Sequence, residues 1–129
     1  MTVGLSAVNL ANKWLDMLGG TAFTAPAGSF VKLHTADPGA SGATAASANT
    51  TRVAATWSAA SAGSKAISNT PTWASWAAGN ETISHVSFWD ASTAGNFLYS
   101  VALTTPKAVT NGDTFTLSSH TQALTPIAA

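Results

Sequence analysis

The residues of this chain that could do chemistry are few, and their spacing keeps them apart. His34, His85 and His120 lie on three separate segments, none of them two or four residues from another. That spacing gives no pair of imidazoles on one local face, so no metal site is expected. His85 stands two residues from Ser87 and five from Asp90, types that in other contexts form a base, a nucleophile and an orienting acid. Ser87 lacks the flanking glycines of a nucleophile elbow, however, and a serine-rich chain offers such triplets by chance. Asp37, Glu81, Asp90 and Asp113 each stand alone in a turn or at a strand end; glycoside hydrolysis would need two carboxylates converging on one bond. Asn111-Gly112-Asp113 could touch Ca²⁺ but lacks the other oxygen ligands that ion requires. Without cysteine there is no thiol nucleophile and no disulfide. No catalytic residue, cofactor or metal is expected, and the chain reads as a non-enzyme.

The aromatic residues carry more information. Trp57, Trp73, Trp76, Phe88 and Trp89 crowd into the central third. Phe88 and Trp89 are adjacent, so on a strand they point to opposite faces. If the sheet is covered on one face only, one of them leaves the core. A tryptophan placed that way serves as a protein-interface anchor or as a platform for a sugar ring. Trp73, Trp76 and Trp89 are therefore candidate subunit contacts, and a host-surface glycan is a possible partner.

Composition narrows the class of protein. The 129 residues suit one domain with one core. Only 8% are charged, against roughly 25% in ordinary soluble domains, and the formal net charge is zero. Five scattered cations cannot form the basic stripe that nucleic-acid binding requires. Near-zero charge favours association, so an assembly component is expected rather than a free monomer. No apolar run approaches the length of a membrane span, and the opening residues lack a basic signal region. No membrane insertion is expected, and the compartment is the cytosol or a particle assembled there.

The elements that must position these residues follow from periodicity. Residues 5–18 read as one amphipathic helix, with Ser6 as N-cap, Asn9, Asn12, Lys13 and Asp16 as its polar stripe, and Gly19-Gly20 as its stop. Apolar residues cover the rest of its circumference, more than one small sheet hides. Leu10, Trp14 and Met17 are accordingly expected to meet a neighbouring subunit, while Leu5, Val8, Leu15 and Leu18 face the chain's own sheet. Beyond the helix the period changes to two. Residues 29–35, 52–58, 64–70, 82–90, 97–104 and 113–117, with a short strand after His120, form a β domain over 29–124. An Ala/Ser/Thr-rich loop over 40–51 is expected to be flexible. The reading is a mainly β chain: a β-sandwich of about six or seven short antiparallel strands with one N-terminal helix, in a single domain spanning 1–129.

Several ordered motifs resemble a known group. They are the helix ending in Gly19-Gly20, Thr21-Ala22-Phe23-Thr24-Ala25-Pro26, and Val31-Lys32-Leu33-His34-Thr35-Ala36-Asp37-Pro38-Gly39. They continue with Ile83-Ser84-His85-Val86-Ser87-Phe88-Trp89-Asp90-Ala91, Gly95-Asn96-Phe97-Leu98-Tyr99 and Asn111-Gly112-Asp113-Thr114-Phe115. Together they resemble small bacteriophage virion proteins described as tail fibre or minor tail proteins. The resemblance implies a virion structural protein, assembled in the bacterial cytoplasm and acting by symmetric assembly with other virion proteins. A homo-oligomer is expected, a trimer above other states. The alternatives are a capsid decoration protein and a carbohydrate-binding module contacting the host envelope.

Overall fold

The structure, a computed structural model, describes residues 3–124; the last five residues of the expected C-terminal tail lie outside them. The chain is mainly β, with one five-stranded antiparallel sheet and one N-terminal helical segment, and the sheet does not close into a barrel. Strands β1 (Gly4–Leu5), β2 (Phe30–His34), β3 (Val53–Ala54), β6 (Glu81–Trp89) and β7 (Phe97–Val109) form that sheet in the order β1-β7-β6-β2-β3. Two ribbons, β4 (Ser64–Ala66) with β9 (Thr121–Ala123) and β5 (Thr72–Trp73) with β8 (Phe115–Thr116), supply the second layer. The expected strands at 52–58 and 64–70 shrink to two and three residues. Their pairing across residues 59–63 survives as an isolated Trp57–Ile67 bridge.

Alternation sorts the sheet's side chains. Val31 and Leu33 pair with Phe88 and Val86, and these four join Trp73, Phe115 and Leu117 of the ribbon side in one buried cluster. Phe88 stacks on Tyr99 at 4.4 Å between ring centres, and Trp57 and His120 close over them. The opposite face carries His34, Ser87 and Trp89. It is covered as well, because the 40–51 segment folds back on it. Thr44 offers its carbonyl to His34, and Ser47 Oγ donates to Glu81 at 2.6 Å. The small residues of this segment pass close to the sheet; at Gly42, where φ is +68°, a Cβ would collide with the Phe97 ring. Hydrogen bonds at Thr44 and Ser47 tie this segment, expected to be a flexible loop, to the sheet.

β6 and β7 pair along most of their length with two irregularities. Between the Ile83–Lys107 and His85–Ala102 pairs, β7 runs through four residues opposite one, and Pro106 lies in this stretch. A residue without an N–H belongs where the ladder is interrupted. Between the Phe88–Tyr99 and Trp89–Phe97 pairs, Leu98 is a single extra residue, a β-bulge that breaks the ladder. There the Leu98 carbonyl accepts the Ser6 N–H at 2.7 Å, and the Phe97 carbonyl accepts the Asn9 side-chain amide at 2.9 Å. The bulge is what seats the helix.

Candidate functional site: an outward apolar helix face and the groove beside it

The helical segment starts two residues later than its periodicity suggests. Leu5 belongs to β1 opposite Tyr99, because the exposed edge of β7 offers that backbone ladder partners. Ser6 is the N-cap, its Oγ accepting the Asn9 N–H. A π-helical turn, Ala7–Ala11, then leads into α1, Asn12–Leu18. Gly19 caps the end, and Gly20, at φ +88°, adopts the left-handed conformation that glycine tolerates.

These tethers fix the rotation of the helix. Leu10 is buried, and Trp14, one turn on, packs against the core. Asn9, assigned to the outer polar stripe by periodicity, instead points at the sheet. Beside the polar Asn12, Lys13 and Asp16, four apolar residues are turned to solvent: Val8 is 73% exposed, Leu15 64%, Met17 51% and Leu18 81%. The expected division of the helix is thus largely reversed, since Val8, Leu15 and Leu18 face out and Leu10 faces in. When apolar residues cover most of a helix, the sequence leaves its phase ambiguous; here the two hydrogen bonds at the bulge choose it.

Beside the inner flank of the helix lies a groove of about 640 Å³, walled by Leu10, Trp14, Phe23, Trp57, Leu98 and Tyr99. Lys65 and Gln122 of the β4–β9 ribbon and the exposed Leu124 complete its rim. Burial raises the Tyr99 pKa, so the phenol keeps its proton to share with His120 Nε2 at 3.1 Å. The outward apolar residues and this groove belong to the same helix.

Of the six residues singled out for contact between subunits, four lie inside this chain's own fold. Trp73 packs edge-on against Phe115 at 5.7 Å and donates its indole N–H to the Thr51 carbonyl. Trp76 is 1% exposed, its indole bound to the Gly79 carbonyl and its backbone clamped by the Asn111-Gly112-Asp113 turn. Leu10 is buried in the core, and Trp89 is buried under the Arg52 guanidinium, 3.9 Å from its ring centre. Because both sheet faces are covered at this point, Phe88 and Trp89 point opposite ways and both are buried. None of the three tryptophans presents a free ring face for a sugar. Trp14 is half-buried and Met17 exposed.

The residues weighed for chemistry form structural networks. His34 is fully buried, and burial lowers its pKa to about 4, so it is neutral at pH 7. A carbonyl oxygen can only accept, so Nδ1 carries the hydrogen and donates it to Thr44 at 2.9 Å. Nε2 then accepts from Ser87 Oγ at 2.7 Å, and Ser87 Oγ accepts the Trp89 indole N–H at 2.8 Å. Ser87 is thus joined to His34 on the neighbouring strand, not to His85, whose Nδ1 meets Ser84. The base–hydroxyl pair is 0% exposed at both residues, which leaves the hydroxyl no open side. Among the described residues no three His, Asp or Glu side chains gather as metal ligands. No helix there is long and apolar enough to cross a membrane.

A family model described as podophage GP4 fiber I protein gp80 matches residues 5–125. The chain belongs to that family. The match runs from β1 through the last strand, so the outward helix face, the groove and the His34–Ser87–Trp89 network all lie within it. A search of curated proteins returns no match. Membership in this fiber family supports a structural role in the phage virion, as the sequence motifs implied, and suggests a non-enzyme.

Proposed function

We propose that this chain is a tail-fibre-type subunit that works by symmetric self-assembly, a trimer being the favoured state. It docks to copies of itself and to other virion proteins through the outward helix face. The observation that carries this reading is the exposure of Val8, Leu15, Met17 and Leu18 on one helix, in a chain with only 8% charged residues. Exposed apolar surface marks interaction sites, and closed rotational symmetry repeats one such patch without leaving it open. Met17 and Trp14 keep the contact role expected of them, with Val8, Leu15 and Leu18 in place of the buried residues. The family's description as a fiber protein favours a fibre over capsid decoration.

Sedimentation equilibrium of the purified chain at micromolar concentration tests this. A defined oligomer that shifts toward monomer in the Leu15→Gln/Leu18→Gln variant is the expected result. A soluble monomer, or an oligomer indifferent to both substitutions, removes the helix face from the interface.

A further inference from the structure

We infer that Lys32 and Arg52, held side by side against Trp89, form a binding site for an anionic group of carboxylate or phosphate type. Strands β2 and β3 pair Phe30 with Ala54 and Val31 with Val53. One further step along that antiparallel register sets Lys32 beside Arg52. Like charges directly opposite on neighbouring strands destabilise a sheet. Here each is half-buried, and burial and mutual repulsion both lower the Lys32 pKa. A chain with five cations in all places two of them at one spot.

The guanidinium is fixed in advance. Its Nη1 donates to the carbonyls of Ala91 at 2.9 Å and Ala94 at 2.6 Å, and its plane lies over Trp89. Arg52 is therefore anchored by carbonyls and a ring rather than by a carboxylate, which leaves its charge uncompensated by that anchoring. Lys32 Nζ stands 5.8 Å from the centre of the same ring. The carboxylate that acts on Arg52 is Asp90; its two oxygens already accept the backbone and side-chain N–H groups of Asn96, and it also feels Lys13. Arg52 and Lys13 thus share one occupied carboxylate at the β6–β7 turn, and Lys32 feels only the repulsion of Arg52. A rigid planar fork beside an ammonium is the geometry that recognises carboxylate or phosphate. Such groups occur on acidic and on phosphorylated saccharides alike.

The site lies on the sheet face opposite the β4–β9 ribbon. Its test is titration of the full-length chain with sodium phosphate, sodium glucuronate and glucose, followed by the NMR signals of the Arg52 Nε–H and the Trp89 indole N–H. Saturable shifts with phosphate, glucuronate or both, and none with glucose, are expected; which anion binds more tightly distinguishes phosphorylated from acidic sugars. Lys32→Gln, which leaves the Arg52–Trp89 stack intact, should weaken binding about three- to fivefold, the size expected of one partly exposed charge contact. Shifts reproduced by sodium chloride at equal ionic strength, no shift with either anion, or an affinity unchanged in Lys32→Gln would each overturn the assignment.

Discussion

The outer face of α1 and the covered face of the sheet invert the usual distribution of polarity. On the helix, Val8, Leu15 and Leu18 stand in solvent. On the sheet, His34 and Ser87 are sealed from it. The buried polar side chains tolerate their position because each hydrogen-bonding atom is matched: Thr44 to His34 to Ser87 to Trp89, with no gap between. A polar group costs little inside when its partners are inside too. The exposed apolar residues have no such compensation among the described residues. The two regions differ in what completes them: the second is completed by its own neighbours, and the first, on the function proposed, by another molecule.

Breaking the inner network should have the largest effect on stability. Ser87→Ala leaves His34 Nε2 and the Trp89 indole N–H buried without partners, and should destabilise the chain by about 2–4 kcal/mol in urea unfolding. Ser100 is its cross-strand neighbour on β7, and its buried hydroxyl has no partner. Ser100→Ala should therefore be neutral or slightly stabilising. Equal losses at the two serines would show that packing, not hydrogen bonding, sets the cost.

Acid should act on the same network with a slightly smaller effect. The His34 pKa falls from 6.5 to about 4 on folding, so the folded state binds fewer protons than the unfolded chain between those values. The stabilisation is complete above pH 6.5 and is lost as pH falls toward 4. The cost is roughly 2–3 kcal/mol, and the lowered pKa of half-buried His120 acts in the same direction. Thermal melts from pH 7 to 4 should show this decline, and His34→Gln should start lower at pH 7 and fall less steeply.

The outer face should respond least in the folding of the single chain. Leu15→Gln with Leu18→Gln removes contacts that are mostly with solvent, so unfolding of the dissociated chain should change by less than about 0.5 kcal/mol. A loss of several kcal/mol in dilute, dissociated protein would mean that these leucines support the chain's own core, and the contrast with Ser87 would disappear.

The sequence by itself determined the local structure. Gly20, Gly39 and Gly112 take positive φ where turns were expected, Asp37 Oδ1 accepts the Gly39 N–H, and Ser6 caps the helix. The alternation in β2 and β6 set Phe88 and Trp89 on opposite faces, and the scarcity of charge pointed to assembly. Three features were decided only by tertiary structure. The helix rotation depends on carbonyls of Phe97 and Leu98, some 90 residues away, freed by a bulge that no periodicity announces. The cover over Trp89 is built from small residues and one arginine, whose packing value arises only when the 40–51 segment and the 91–94 turn meet the sheet. The partnership of His34 with Ser87 follows from strand pairing across 53 residues, where sequence proximity favoured His85. Short-range chemistry is written in neighbouring residue types, whereas helix phase, face coverage and buried polar pairing depend on which distant backbone groups remain unpaired.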